Sequence, residues 1–213
     1  MEGYNNGPGT ILAERALERV PFNKSVHASS ASDDWPTPAA FYKRLDREFG
    51  FTLDVCASAR NTKATTWFGL DHPDPSRQDG LQADWVGSVW CNPPYGRGQR
   101  GCTPWVVKAI ASLEATSNEA GPRCEQVVFL VPARTDTKWW HTLVASGYVE
   151  EVRFVRGRLV FGYDPNGDAA PFPSAVVVMK PKVKRAPVMT FIEAKCSTSS
   201  AEAKTVSLRP SNI

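Results

Sequence analysis

The chain has 213 residues, of which 42% are hydrophobic, and a formal net charge of +3. This length fits one domain with terminal extensions, and this hydrophobic share is enough for a buried core. The longest apolar runs, 127–133 and 174–179, are too short to span a bilayer. Residues 1–10 lack the pattern of a signal peptide, so we expect a cytoplasmic protein and no membrane partner.

The cysteines do not form a recognisable framework. There are five, an odd number, and none belongs to a Cys-x-x-Cys pair. The three histidines are scattered along the chain. We therefore expect reduced thiols and neither disulfides nor a metal site. The positive net charge permits a nucleic-acid partner but does not require one.

The two ends of the chain differ in composition from its middle. Residues 1–33 are rich in Gly, Asn and Ser, which predicts a flexible N-terminal arm, and residues 181–213 are basic and polar, which predicts a disordered tail. The tail is either a solvated terminus or a phosphate-binding arm. Residues 34–180 are predicted to form the single folded domain.

Helices and strands alternate through this domain. The first helix is predicted at 37–50, with Thr37 as its N-cap, Pro38 at the first helical position and Gly50 after its end. Further helices are predicted at 104–117 and 137–147, and strands at 51–57, 87–92, 125–133, 151–162 and 173–180.

This alternation indicates an open, doubly wound α/β sheet with mostly parallel strands. The Pro- and Gly-rich segment 163–173 indicates a hairpin-like return, which makes the last strand antiparallel. In such sheets the ligand lies beyond the carboxyl ends of the strands. Asp54, Asp84 and Asn92 all lie at or near such ends, although each Asp is also a common cap or turn residue.

A set of motifs surrounds the sequence NPPY at residues 92–95, which resembles the catalytic motif of S-adenosylmethionine-dependent amino-methyltransferases. In their order along the chain, these motifs resemble the phage-type, Dam-like DNA N-6-adenine methyltransferase family. They are DDWPTP (33–38), EFGFTLDVCAS (48–58), DGLQADW (79–85), VWCNPPYG (89–96), WVVKA (105–109), LVPARTDTKWWH (130–141), VRFVRGRLVFG (152–162) and PFPSAVVV (171–178).

The resemblance implies a Rossmann-like fold, S-adenosylmethionine as cofactor and the N6 amino group of adenine in double-stranded DNA as substrate. It assigns catalysis to Asn92, Pro93, Pro94 and Tyr95. The Asn92 side-chain oxygen and the Pro93 carbonyl would accept the two hydrogens of the amine and free its lone pair, because consecutive prolines stiffen the backbone and offer only acceptors. Tyr95 would stack on a base flipped out of the duplex, or else it packs in the core.

The resemblance also implies which residues bind the cofactor. Asp54 would lie near its methionine part, Asp71 near its ribose and Asp84 near its adenine. Trp35 either lines the same pocket or staples the first helix. The complete predicted set is Trp35, Thr37, Pro38, Asp54, Cys56, Ala57, Asp71, Asp84 and Asn92.

Basic side chains that follow the predicted strand 125–133, and others on the predicted strand 151–162, are candidates for holding DNA phosphates. Arg156 and Arg158 alternate onto one strand face, and ordinary solvated charge is the other interpretation of both, as of Arg153. Loops 96–104 and 163–173 are the predicted specificity segments. The complete predicted DNA-binding set is Tyr95, Arg134, Thr135, Lys138, Arg156 and Arg158.

Two other functions fit the same residues. An RNA base or a protein glutamine amide also offers a planar amino group to Asn92. A non-catalytic nucleic-acid-binding protein with this fold is the second alternative, although such a protein would not need a polarising Asn. The target site, the oligomeric state and the choice between protection in restriction-modification and a regulatory role stay open.

Overall fold

The computed structural model describes residues 35–98, 101–118, 123–163, 166–181, 183 and 185–195. The helices in this part of the chain are α1 (Ala39–Phe49), α2 (Cys102–Asn118) and α3 (Lys138–Val144), with a short 3-10 helix at Pro75–Arg77. The strands are β1 (Leu53–Asp54), β2 (Thr66–Trp67), β3 (Gly87–Cys91), β4 (Cys124–Pro132), β5 (Val149–Arg156), β6 (Ser174–Met179) and β7 (Val188–Glu193).

The strands form one mixed sheet in the order β2-β1-β3-β4-β6-β5-β7. β2, β1, β3 and β4 pair in parallel, and β7 pairs in parallel with β5. β6 is antiparallel to both of its neighbours, β4 and β5. The predicted α/β class, with a mostly parallel sheet and an antiparallel strand near the C-terminus, is therefore confirmed.

Helices cover both faces of the sheet. Consecutive residues of a strand point to opposite faces, and Trp90 and Cys91 of β3 show what covers each one. The Trp90 ring packs edge-on against Tyr42 of α1 at 5.4 Å. Cys91 is fully buried beside Cys102, the first residue of α2. The sheet is thus doubly wound, as the alternating pattern predicts.

The centre of the sheet forms the core. Residues 127–131 of β4 are completely buried, and their partners in β6 are equally buried, with Val128 opposite Val178 and Leu130 opposite Val176. A strand that is covered on both faces must be apolar at consecutive positions, which explains the continuous apolar run that predicted β4. Burial of so many large side chains is the main force that holds the sheet together.

The start of α1 differs from the prediction. The helix begins at Ala39, so Pro38 lies at the N-cap position, with φ −57° and ψ 129°, and no side chain caps the helix. Thr37 is therefore not the N-cap, because Pro38 is itself extended and its carbonyl accepts the first helical hydrogen bond, from the Tyr42 N–H at 3.0 Å. Gly50 does end the helix, as predicted, with φ 58° and its N–H donating to the Asp46 carbonyl at 2.8 Å.

The sheet also extends beyond the predicted domain boundary at residue 180. β7 (Val188–Glu193) pairs with β5 over six positions, and Arg44 of α1 donates to the Glu193 carbonyl. The prediction of disorder from residue 181 is therefore wrong for this strand. The arm at 1–33 and the rest of the tail, from 196, lie outside the described residues.

Candidate active site at the carboxyl edge of the sheet

A cavity of about 330 Å³ opens at the carboxyl ends of β1, β2 and β3. Its volume lies within the range of about 300–1,000 Å³ that is typical of small-molecule sites. The residues around it come from the segment before α1 and from the loops that follow the three strands. They are Trp35, Pro36, Thr37, Asp54, Val55, Cys56, Ala57, Ser58, Asn61, Lys63, Phe68, Gly69, Leu70, Asp71, Gly80, Trp90, Asn92, Pro93, Pro94 and Trp105.

Asp54 ends β1 at the floor of this cavity and is 3% exposed. Its carboxylate accepts from the backbone N–H of Lys63 at 3.0 Å and from that of Cys56 at 3.4 Å. Burial raises the pKa of Asp54 to about 6, against the lowering effect of these two bonds and of the Lys63 charge. Asp54 therefore fixes the loop that follows β1 in addition to facing the cavity.

Two glycines let the surrounding loops approach this segment closely. A Cβ on Gly69 would lie 1.8 Å from the Ala57 carbonyl oxygen, and a Cβ on Gly80 would lie 2.0 Å from the Val55 carbonyl oxygen. Both distances are impossible for a larger residue unless the backbone moves. The glycine of DGLQADW therefore serves the packing of the 79–80 turn against the end of β1.

Charged groups on the loops after β1 and β2 give the cavity its polar side. Asp71, which follows β2, lines the cavity, and its carboxylate accepts from the Ala59 N–H at 3.0 Å. The Lys63 ammonium donates to the Asn61 carbonyl at 3.0 Å. The cavity thus combines an anionic group and a cationic group with the apolar surface of Phe68 and Leu70.

Not all predicted cofactor residues lie at the cavity. Trp35, Thr37, Asp54, Cys56, Ala57, Asp71 and Asn92 line it. Asp84 does not: it is exposed, and its charge acts on Lys108 of α2. Pro38 is not part of the lining either, because it forms the N-cap of α1. Of the predicted cofactor-binding residues, Asp84 and Pro38 therefore do not line the cavity.

Asn92, the first residue after β3, is held by its whole amide group. Its Nδ2 donates to the Trp35 carbonyl at 2.7 Å and to the Thr37 hydroxyl at 3.1 Å, while its Oδ1 accepts from the Tyr95 hydroxyl at 2.6 Å. Thr37 and Tyr95 are 4% and 5% exposed. The amide is therefore fixed in one orientation at the wall of the cavity.

Tyr95 does not have the free aromatic face that the stacking prediction requires. Its ring lies edge-on to Phe172 at 5.4 Å and to Phe161 at 6.0 Å, and Trp35 packs edge-on against the same two phenylalanines at 5.1 and 5.5 Å. The ring is buried in this aromatic cluster, so the core-packing alternative is the one that the structure supports. Trp35, in contrast, is half-buried and faces the cavity.

The prolines between Asn92 and Tyr95 also lie at the cavity. Among the described residues no backbone N–H donates to the Pro93 carbonyl, whereas the Pro94 carbonyl accepts from the Cys102 thiol at 3.8 Å. Burial raises the pKa of Cys102 to about 12, so this thiol stays protonated. Asn92 Oδ1 and the Pro93 carbonyl thus remain as acceptors beside the cavity.

The segment between β4 and α3 carries basic groups at the same edge of the sheet. Arg134 is half-buried and close enough to Cys102 for its charge to act on that thiol, whereas Thr135 and Lys138 are exposed. The Thr137 N–H and hydroxyl both donate to the Arg134 carbonyl, at 3.1 and 2.7 Å, which fixes the turn. Trp140 is buried while Trp139 is only half-buried.

The arginines of β5 have ion-pair partners. Arg153 contacts Glu48 of α1 at 2.5 Å and Glu151 at 2.7 Å and lies over the Phe49 ring. Arg156 is exposed and pairs with Glu193 of β7 at 3.3 Å. Arg158 is exposed, and among the described residues no salt bridge includes it. Arg153 is thus a structural residue, while Arg158 leaves its charge to solvent.

A family model for DNA N-6-adenine-methyltransferase (Dam) matches residues 24–205. The chain belongs to this family. The resemblance that the NPPY motif and its neighbouring segments indicate is confirmed, and the match reaches past residue 180 to include β7. Together with the sheet order, the family match confirms the predicted Rossmann-like methyltransferase fold.

Two solved structures resemble this Dam-family chain. One is a modification subunit assigned to a type I restriction enzyme from Vibrio vulnificus YJ016, with 12% identity, a TM-score of 0.43, and coverage of 92% of this chain and 54% of that one. The other is a predicted O-methyltransferase, Atu636, from Agrobacterium tumefaciens, with 16% identity, a TM-score of 0.33, and coverage of 72% and 84%. The chain therefore spans about half the length of the Vibrio protein. No curated protein matches it.

Several cavity residues of this Dam-family protein escaped the sequence motifs. Asn61 and Lys63 follow EFGFTLDVCAS, and their position in the loop after a strand that ends in an acid is the signal that could have found them. Phe161 precedes the segment 163–173 and Phe172 lies within it, and their spacing along the chain does not show that they enclose Tyr95.

Two further observations concern the described residues alone. No helix in this part of the chain combines the length and the apolar character that a membrane crossing needs. Within the same residues, no group of three or more His, Cys, Asp and Glu side chains is arranged to hold a metal ion.

Proposed function

We propose that this protein transfers a methyl group from S-adenosylmethionine to the N6 amino group of adenine in double-stranded DNA. The observation that carries the proposal is the position of the fixed Asn92 amide. It lies on the wall of the same cavity that Asp54 and Asp71 line. A cofactor site and a polarising acceptor for an amine are thus adjacent in a member of the DNA N-6-adenine-methyltransferase family.

The residues around the cavity fit S-adenosylmethionine. Asp71 suits the ribose hydroxyls, Lys63 suits the carboxylate of the methionine part, and the anionic Asp54 suits its ammonium group. Trp35, Phe68 and Leu70 offer apolar surface to the purine. When bound, the cofactor supplies an activated sulfonium methyl group, so the protein's task is to position and polarise the acceptor amine.

Asn92 and Pro93 perform that task. The exocyclic nitrogen of adenine is a poor nucleophile because its lone pair is delocalised into the ring. Hydrogen bonds from its two N–H groups to Asn92 Oδ1 and to the Pro93 carbonyl favour a pyramidal nitrogen with a localised lone pair. They also stabilise the positive charge that develops on nitrogen during transfer, in a site whose dipoles are already oriented. Pro94 keeps these two acceptors in fixed relation, because its φ angle is restricted.

The base must leave the duplex to reach this wall. We assign the stacking surface to the half-buried Phe172 rather than to Tyr95, whose ring is enclosed by Phe161 and Phe172. Segments 96–104 and 163–173 are the parts of the chain that we expect to read the flanking sequence. Arg60, in the loop after β1, lies 4.6 Å over the Tyr163 ring and so joins the cofactor side to the second of these segments.

Basic residues at the carboxyl edge of the sheet would hold the DNA backbone. We expect the protein to meet this DNA in the cytoplasm. Arg134, Thr135 and Lys138 follow β4, next to the catalytic wall. Arg156 and Arg158 lie at the end of β5, which runs parallel to β4 and therefore ends at the same edge. Phosphate contacts of this kind fix register on the duplex without reading its sequence.

Methyl transfer with labelled cofactor distinguishes this function from its alternatives. The purified protein is incubated with S-adenosylmethionine that carries a labelled methyl group, in parallel with unmethylated duplex DNA, single-stranded RNA and a glutamine-containing peptide. We expect label in the duplex DNA. Label in RNA alone or in peptide alone would mean that this molecule, and not DNA, is the substrate. Cofactor binding without transfer to any of the three would favour a non-catalytic nucleic-acid-binding protein.

A further inference from the structure

The hydrogen bonds around the Asn92 amide suggest a role for two residues behind it. We propose that the Tyr95 hydroxyl and the Thr37 hydroxyl are positioning groups that orient the Asn92 amide oxygen toward the target amine. Tyr95 thus acts through its hydroxyl and not through its ring. This inference rests on the proposed function, in which Asn92 Oδ1 accepts a hydrogen from adenine N6.

The partners on one side of the amide decide its orientation. The Trp35 carbonyl, 2.7 Å from the amide, can only accept, so the atom that faces it must be the nitrogen. The Thr37 hydroxyl oxygen, at 3.1 Å, accepts from the same NH₂ group. Both N–H bonds are then satisfied by protein atoms, and the oxygen must point the other way. A flipped amide would set its oxygen against the Trp35 carbonyl oxygen in a partly buried site and lose both of these hydrogen bonds, which is unfavourable.

Tyr95 fixes the other side. Its hydroxyl donates to Asn92 Oδ1 at 2.6 Å, and its ring is held by Phe161 and Phe172 with 5% of the residue exposed. Burial raises the pKa of this phenol well above its ordinary value, so it remains a donor at working pH. A carbonyl oxygen has two lone pairs, and the one that Tyr95 leaves unused can accept from the target amine.

A second acceptor helps to hold the tyrosine hydroxyl in place. The Leu130 carbonyl of β4 lies 3.1 Å from the same hydroxyl. A hydroxyl has one hydrogen, and the shorter distance of 2.6 Å to Asn92 Oδ1 favours donation to Asn92, because two oxygens at that distance with no hydrogen between them repel each other. The buried ring therefore keeps the hydroxyl as a donor to the Asn92 oxygen before substrate binds.

Tyr95→Phe and Thr37→Val test this arrangement because each removes a hydroxyl and keeps the packing. Tyr148→Phe is the matched control, since Tyr148 precedes β5 at the opposite edge of the sheet. We expect Tyr95→Phe to lower kcat by about tenfold, the effect of one lost positioning hydrogen bond, with the dissociation constant of S-adenosylmethionine and the Tm nearly unchanged. Thr37→Val should lower kcat less, because the Trp35 carbonyl remains.

The double variant with Asn92→Ala separates positioning from stability. If Tyr95 acts through Asn92, Tyr95→Phe lowers kcat no further once Asn92 is alanine. An unchanged kcat in Tyr95→Phe, while Asn92→Ala loses transfer, would overturn the inference and leave the proposed function intact. A fall in kcat that comes with a fall in Tm large enough to unfold part of the enzyme at the assay temperature would also overturn it, because a merely structural role predicts that result.

The inference has a readout that does not depend on transfer. In ¹⁵N spectra the side-chain amide of Asn92 is assigned by its loss in Asn92→Ala. We expect slow hydrogen exchange of these N–H groups in the wild type and at least tenfold faster exchange in Tyr95→Phe, but not in Tyr148→Phe. Equal exchange in wild type and Tyr95→Phe would contradict the inference, even if no substrate for methyl transfer were found.

Discussion

The two flanks of the sheet place polar groups in opposite ways. On the β1–β3 flank, Asp54 and Asn92 are held by several hydrogen bonds at a cavity, and the strands are short. On the β5–β7 flank the strands are longer, and the charged side chains of Arg153 and Arg156 pair with neighbouring glutamates at the surface. One flank orients its polar groups toward a space between elements, and the other uses its charges to tie elements together.

This difference shows why charge alone is a poor guide to function in this fold. Arg153 is close to other arginines in the sequence, yet its guanidinium is occupied by Glu48 and Glu151. Asn92 carries no charge, yet three hydrogen bonds hold its amide in one orientation. A polar group that is held in this way and keeps a free acceptor lone pair beside a cavity is set up to meet a ligand there. The following variants test that distinction.

Asn92→Ala should have the largest effect, because it removes the oriented acceptor on the β1–β3 flank. We expect kcat for methyl transfer to fall by about 100-fold to 1,000-fold, which is the range found when an oriented hydrogen-bond partner of the transition state is lost. The dissociation constant of S-adenosylmethionine should stay within about twofold. Asn61→Ala, which alters the cofactor loop, is the matched control. It should weaken S-adenosylmethionine binding and leave kcat nearly unchanged. Similar kinetics for wild type and Asn92→Ala would remove Asn92 from the mechanism.

Asp54→Asn should change how stability depends on pH. In the folded protein burial raises the pKa of Asp54 from an ordinary 3.8 to about 6. Between these values the folded state binds more protons than the unfolded state, so the contribution of Asp54 to the free energy of unfolding falls as pH rises from about 4 and is lowest above about 6. This shift corresponds to on the order of 3 kcal/mol.

Denaturant unfolding of wild type and Asp54→Asn between pH 4 and pH 7.5, without cofactor, measures this contribution. The other titrating groups cancel in the difference between the two proteins. We expect the wild type to lose stability relative to the variant as the pH rises through this range. A difference that is constant, or that increases with pH, would mean that the pKa of Asp54 is not raised.

Arg153→Met should affect stability and leave DNA binding unchanged. The variant loses the contacts with Glu48 and Glu151 but keeps an apolar side chain over Phe49. Because the Arg153 side chain is only 15% exposed, we expect the free energy of unfolding to fall by about 1–3 kcal/mol. Arg156→Met, which breaks an exposed pair, should change it by no more than about 0.5 kcal/mol. Weakened DNA binding in Arg153→Met would contradict the structural role.

Arg134→Ala and Arg158→Ala should have the smallest effects, visible in the salt dependence of DNA binding. Each should weaken binding to all duplex sequences alike and reduce the slope of log affinity against log salt by about 1, as expected for one lost phosphate contact. Arg153→Met serves as the control with no change in slope. An unchanged slope in both alanine variants would place the DNA backbone elsewhere on the protein.

The sequence predicts the central elements of the fold well, because a strand covered on both faces must be continuously apolar. β3, β4 and β6 follow this rule. β2 escapes prediction because two residues contain no periodicity. β7 escapes because it is an edge strand whose side chains Val188, Met189 and Phe191 are exposed, and its neighbouring basic residues resemble those of a solvated tail.

Residues of the candidate site can be predicted from the sequence where their local chemistry is distinctive. The prediction fails where tertiary packing decides how a side chain is placed. Asn92 and the prolines stand out because few other roles need that combination after a strand. The orientation of Tyr95 depends on Phe161 and Phe172, which are distant in the chain, so no local pattern could show that the ring is enclosed. Asp84 and Asp71 look alike in sequence, but Asp71 lines the cavity, whereas on the loop of Asp84 it is Gly80 that does so.

Nucleoside mass spectrometry tests the central claim most directly. Unmethylated duplex DNA is incubated with S-adenosylmethionine and either the wild type or Asn92→Ala, then digested to nucleosides, and cofactor binding by both proteins is measured in parallel. We expect N6-methyladenine with the wild type and at least about 100-fold less with the variant, although both bind the cofactor. A different methylated base, or equal N6-methyladenine with both proteins, would contradict the claim.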